Sequence, residues 1–177
     1  LDEKGFAQEM EAQKTRSRAA SESETGDWVI VNEDNGVEFV GYDYLKAHAQ
    51  IIKYRVISDK KGDKYQLVLD KTPFYAESGG QVGDTGVLIS DTETVKVIDT
   101  KKENDLIVHF VEKLPANPAA NFGAEVDADK RFLTENNHTA THLLQAALKE
   151  VLGDHIQQRG SLVNQNLLRF DFSHFSK

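Results

Sequence analysis

The sequence predicts an α+β fold: a small antiparallel β-barrel, then one long helix and the first part of a further α+β unit. Three observations predict it. Short β-branched and aromatic runs, parted by turn signals, fill the stretch from Trp28 to about Val126. The segment Asp129–Leu152 repeats its apolar residues with the 3.6-residue period of a helix. A last run, Leu167–Phe172 (LLRFDF), alternates as a strand does.

Residues 1–20 read as a helix, with Phe6 and Met10 at i, i+4 among Glu, Gln, Lys and Arg. So little apolar surface does not sustain a lone helix, so it is expected to dock on a neighbour. Ser21–Gly26 (SESETG) has the composition of a linker. Seven strands follow: Trp28–Val31, Glu38–Val40, Ile51–Ile57, Tyr65–Leu69, Val87–Ser90, Thr94–Ile98 and Leu106–Val111. Asp34-Asn35-Gly36, Lys61-Gly62-Asp63 and Glu103-Asn104-Asp105 supply turns between them. This spacing fits a small barrel or sandwich, and a barrel is the expectation carried forward. Pro115 and Pro118 mark a loop, and Gly123–Asp127 is a candidate eighth strand. In the helix, Ala140, Leu143, Leu144, Ala147, Leu148, Val151 and Leu152 form an apolar stripe, and Gly153 is a stop signal. Residues 134–137 (TENN) are poor helix formers, a place for a break. The organisation is then a helical connector and linker over 1–26, a β-barrel over 27–127, and the start of a further domain over 128–177.

At 177 residues the chain suits one ordinary domain or two small ones sharing a core. With 39% hydrophobic and 28% charged residues it has a soluble globular balance. No apolar run approaches the ~18 residues of a membrane span, and no secretory signal is visible. The first residue is Leu1, as in a piece of a longer chain. The absence of cysteine excludes disulfides and any thiolate zinc site within this chain, and suits a reducing compartment. A net charge of −8 argues against the whole chain as a polyanion binder. The charge is uneven: residues 1–129 hold 15 basic against 25 acidic side chains, and residues 130–177 hold 6 against 4. The C-terminal quarter is therefore the better face for phosphates, with Lys130, Arg131, Arg159 and Arg169 as candidate contacts.

Two features carry chemistry. His138 and His142 (HTATH) stand at i, i+4, which puts both rings on one helix face, the spacing by which a helix offers two imidazoles to one metal. Their face lies opposite the apolar stripe, beside Gln145 and Lys149, so they are not core histidines. The alternative is a pair of solvent-facing histidines. The pair lacks the intervening Glu of HExxH, which disfavours that protease chemistry. The second feature is Thr72–Gly86 (TPFYAESGGQVGDTG), with Gly79, Gly80, Gly83 and Gly86 within eight residues. It fits neither the P-loop nor the dinucleotide fingerprint. It reads either as a loop pressed against a ribose or phosphate, or as a run of barrel turns and a bulge. His48, His109 and His155 are isolated in sequence, and Phe170 and Phe172 read as core residues.

Taken together, FYAESGGQVGDTG (Phe74–Gly86), NHTATHLLQAALKEVLG (Asn137–Gly153) and QRGSLVNQNLLRFDFSH (Gln158–His174) resemble, in order, the editing region of the alanyl-tRNA synthetases. FAQEMEAQKTRSRAA (Phe6–Ala20) resembles the helix that leads into that region. The resemblance implies that residues 128–177 begin an editing domain, which hydrolyses mischarged Ser-tRNA(Ala) and Gly-tRNA(Ala). It implies that His138 and His142 are Zn²⁺ ligands. Thr141 would recognise the serine hydroxyl, Gln158 would lie in the substrate pocket, and Gly79, Gly80 and Arg159 would border the tRNA 3′ end. The family completes its zinc site with a downstream Cys-x-x-x-His motif that this chain lacks, so the site is half present and the fragment alone is expected to be inactive. ATP and Mg²⁺ would belong to an aminoacylation domain outside this chain. tRNA(Ala) is the implied partner, with no DNA and no membrane, in the cytoplasm. Two other readings stand beside it: a free-standing editing deacylase, which the N-terminal connector disfavours, and a non-catalytic RNA-binding barrel, which the acidic barrel half disfavours.

Overall fold

The computed structural model describes residues 5–6, 8–11, 13, 24–34, 36–59 and 62–175. Its centre is a closed six-stranded antiparallel barrel. The strands are β4 (Lys46–Asp59), β5 (Gly62–Leu69), β7 (Gly86–Ile89), β8 (Thr94–Glu103), β9 (Leu106–Val111) and β10 (Asn121–Val126). They run in the order β4-β10-β7-β8-β9-β5, and β5 returns to β4. Closure depends on the length of β4. Its first residues, Lys46–Gln50, pair with β10, while Ile51–Asp59 pair with β5. The register slips between Ile51 and Lys53, the local bend a barrel corner requires. A second slip, between Val97 and Asp99, lets β8 pass from β7 to β9. Asn104, at a left-handed φ of 54°, makes the tight β8–β9 turn, a conformation Asn tolerates.

Alternation along these strands fills the interior. Ile51, Leu67, Leu69, Phe74, Leu88, Val97, Val111, Phe122 and Ala124 form the buried core. The opposite faces of β4, β5 and β9 carry Ile52, Val68 and Val108, covered by Trp28, Val37, Leu106 and Phe110. Trp28 is held there by Arg55, 4.4 Å from its ring centre. Short strands β1 (Glu24–Thr25) and β2 (Val29–Ile30) pair with β4, so part of the expected linker is strand. Strands β3 (Glu38–Phe39) and β6 (Lys71–Thr72) pair in parallel. His109, expected to be unremarkable, is a fully buried barrel residue. Its Nδ1 donates to the Leu67 carbonyl at 3.2 Å, and its Nε2 accepts from the Thr72 hydroxyl at 2.7 Å.

Helix α1 (Ala128–Leu152) is continuous through the TENN stretch. Asp127 caps its first turn by accepting from the Lys130 N–H, and Gly153, at φ 111°, ends it. Its orientation is the reverse of the simplest expectation from its stripe. The inward face is polar, with Arg131, Thr134 and Thr141 buried, while Leu143 and Val151 are 68% and 79% exposed. The helix packs on the hairpin of β11 (Gln158–Val163) and β12 (Leu168–Phe172). Strand β11 is absent from the sequence reading because its register slips between Gln158 and Gly160, which obscures alternation.

The N-terminal helical residues described include Phe6 and Met10, both exposed; the remainder of 1–20 lies outside the described residues. His155 is not isolated: its Nε2 lies 2.9 Å from Nδ1 of His174. Phe170 and Phe172 stack on each other on β12 rather than entering a core. Among the described residues, no helix is long and apolar enough to cross a membrane.

Candidate functional site

The glycine-rich loop is stitched between barrel and hairpin. On the barrel side the Glu77 N–H donates to the Thr100 carbonyl, and the Thr100 hydroxyl donates to the Asp84 carbonyl. On the hairpin side the Val163 N–H donates to Gly80 O at 2.8 Å, and the Val82 N–H to Val163 O at 3.0 Å. A Cβ at Gly80 would lie 2.7 Å from the Ser161 carbonyl oxygen, so only glycine permits this approach. Gly79 has φ of 60° and open space where a side chain would go. The barrel-turn reading thus accounts for Gly80, and Gly79 is the glycine of this pair that faces open space.

A buried ion pair locks the helix to this loop. The Arg131 guanidinium grips the Asp84 carboxylate through Nε and Nη2, and also donates to the carbonyls of Gly41 at 2.8 Å and Pro73 at 3.1 Å. Burial penalises the cation, but its bond to and the charge of Asp84 outweigh this, and its pKa rises. Asp84 in turn accepts from the Tyr75 N–H at 2.7 Å. Arg131 is therefore a saturated structural anchor and not a phosphate contact. Lys130 bonds the Thr85 hydroxyl and pairs with Asp127, and Arg169 pairs with Asp171.

About two turns beyond Arg131, the imidazoles of His138 and His142 converge. Their Nε2 atoms are 3.0 Å apart and their ring centres 5.0 Å apart. The other nitrogen of His138, Nδ1, lies 2.6 Å from Oε1 of Gln81, next to Gly80 in the loop. The pair thus adjoins the glycine-rich loop. Gln81, buried and in second contact with the site, has no motif signal apart from its place in the loop. Its acceptor oxygen sets the proton of His138 on Nδ1 and leaves Nε2 as a lone-pair donor, the arrangement of a metal-ligating histidine with an oriented outer partner. Two imidazole nitrogens would be half of the donors a tetrahedral zinc site needs. Among the described residues no group of three or more His, Cys, Asp or Glu could hold a metal.

Thr141 is buried on the inward helix face, its hydroxyl donating to the Asn137 carbonyl at 2.8 Å. Gln158 and Arg159 are exposed at the start of β11. A cavity of about 350 Å³ opens beside His138, lined by Tyr42, Tyr75, Gln81, Arg131, Glu135, His138 and Thr139.

The family of class II (A) tRNA synthetases matches residues 1–131, nearly three quarters of the chain. The chain belongs to the class II (A) tRNA synthetases. Within that family its similarity is to alanine–tRNA ligases. It is 60% identical over its whole length to that of Cytophaga hutchinsonii, covering 20% of that protein. It is 60% identical over 97% of its length to that of Bacteroides thetaiotaomicron, again 20% of that protein. With the ligase of Christiangramia forsetii it shares 55% identity over its full length and 21% of the ligase. The chain thus corresponds to a fragment about one fifth the length of these class II synthetases.

Proposed function

We propose that this segment forms the barrel and the first half of a hydrolytic editing site in an alanine–tRNA ligase, one that clears serine and glycine wrongly esterified to tRNA(Ala). The observation that carries it is the convergence of His138 and His142 with Gln81 of the glycine-rich loop fixed behind them. The helix also has a separate, buried anchor in Arg131 and Asp84.

The alanine-specific site of such an enzyme has a physical reason to need a second one. A pocket that accepts alanine cannot strongly reject glycine or serine, because one methyl or one added hydroxyl changes binding by only about 1–3 kcal/mol. A polar group in another pocket selects for the hydroxyl instead. Thr141 suits this role: its proton is committed to the Asn137 carbonyl, so its oxygen remains an acceptor for a serine hydroxyl. Gln158 lies in the substrate pocket, and Arg159, Gly79 and Gly80 border the tRNA 3′ end, with Gly79 leaving room for the chain of the acceptor strand. His138 and His142 would hold a Zn²⁺ ion through Nε2, completed by ligands beyond this chain; such an ion supplies Lewis-acid polarisation or a water of lowered pKa. Alanine activation with ATP and Mg²⁺ belongs to other parts of the ligase, in the cytoplasm.

In a full-length ligase carrying this segment, His138→Ala should lower Ser-tRNA(Ala) deacylation more than ~100-fold, since even outer-shell changes at metal sites cost 10–100-fold. Alanylation should persist. Unchanged deacylation in that assay would remove the histidines from the reaction.

A further inference from the structure

We infer that the cavity between Tyr42 and His138 is the seat of the terminal nucleobase of the acceptor strand, with Tyr42 and Tyr75 as its stacking faces. This deepens the editing proposal and rests on it for the identity of the ligand. The cavity, about 350 Å³, is lined by the two tyrosines and by His138. That is the arrangement needed to hold a base beside the ester its own ribose carries.

Tyr42 is 83% exposed. It is nevertheless positioned. Its ring packs edge-on to Phe39, with centres 5.0 Å apart, and Phe39 also meets Tyr75 edge-on at 6.3 Å. The backbone beneath both tyrosines is held by one side chain. Arg131 binds the carbonyl of Gly41, which precedes Tyr42, and through Asp84 it fixes the N–H of Tyr75. A Cβ at Gly41 would fall 2.3 Å from the Pro73 carbonyl oxygen, so the two loops meet closely next to Tyr42. Aromatic faces presented by a rigid frame are how proteins hold unpaired bases, at about 1–3 kcal/mol per stacked base. Glu135, on the same cavity wall, is an acceptor for an exocyclic amine, which favours adenine over a base presenting a carbonyl there.

The test uses a full-length ligase and an acceptor-stem RNA ending in 8-azidoadenosine. Irradiation should place the adduct on Tyr42 or Tyr75, mapped by mass spectrometry. Tyr42→Ala should raise KM for Ser-tRNA(Ala) deacylation about tenfold with kcat within about twofold, and Tyr42→Phe should restore KM, since the ring and not its hydroxyl stacks. Adducts mapping entirely elsewhere, or a KM unchanged in Tyr42→Ala, would overturn the assignment. If deacylation collapses in His138→Ala while no adduct forms at the tyrosines, the editing site stands and the base seat falls. If adducts form at the tyrosines but deacylation survives His138→Ala, the base seat stands and the editing proposal falls.

Discussion

The barrel and the helix obey opposite rules. The barrel closes on itself: β5 returns to β4, and Ile51, Leu67, Leu69, Phe74 and Val97 are wholly removed from water. The helix turns a polar face inward and leaves its leucines outside. What attaches it is a network of charges and hydrogen bonds, Arg131 to Asp84 and His138 to Gln81. Apolar packing is non-directional and tolerates small shifts, whereas a bidentate ion pair fixes position. The region that must place two imidazoles against a loop uses the directional kind, and the region that only supports it uses the other.

The sharpest way to break that contrast is Arg131→Ala. It strands the Asp84 carboxylate in a buried site and frees the carbonyls of Gly41 and Pro73. The expected cost is about 3–5 kcal/mol in urea unfolding, the range for removing one partner of a buried pair. Amide exchange should open α1 and the glycine-rich loop first. Equal loss of protection in β4 and β5 would show that the barrel depends on the helix after all.

How much of this was legible from residues follows the same division. The barrel's inner strands announce themselves because β-branched runs such as Ile51–Ile57 have few other uses; β9 has the bounds its pattern predicts. The first part of β4, Lys46–Gln50 (KAHAQ), carries no such pattern, and is a strand because β10 lies beside it. Helix periodicity located the apolar stripe but could not say which side of the helix meets the barrel. The i, i+4 spacing reported the histidines. Gln81 stands 57 positions from His138, and Asp84 47 from Arg131, separations over which no local pattern operates.

A second test concerns the barrel alone. Burial, partly offset by the Leu67 carbonyl, pushes the His109 imidazole down to about 4 from the ordinary 6.5. As pH falls, the unfolded chain takes up this proton first. The stabilising contribution is complete above pH 6.5, drains between 6.5 and 4, and is constant below, for a total on the order of 3 kcal/mol. Protonation would also force Nε2 to donate toward the Thr72 oxygen, displacing the hydroxyl proton that points at it. Unfolding free energies between pH 7.5 and 4.5 should therefore fall more steeply for the native chain than for His109→Gln. Parallel pH profiles would mean the imidazole is not neutral inside the barrel.

The smallest effect tests the outward face of α1. Leu143 is 68% exposed, so replacing it with serine removes little buried area. In this chain Leu143→Ser should change stability by less than about 0.5 kcal/mol, the span of ordinary surface substitutions. By contrast, Phe74 lies at full burial in the barrel, where truncation of such a ring costs about 3–5 kcal/mol. A measured loss above 1 kcal/mol for Leu143→Ser would place that leucine in a contact within this chain and erase the contrast. Repeating the substitution in a full-length ligase then reads out whether the same face is covered there, because burial is what separates the two leucine costs. The apolar stripe and the histidine face share one helix, so the answer also bears on how rigidly the imidazoles are held.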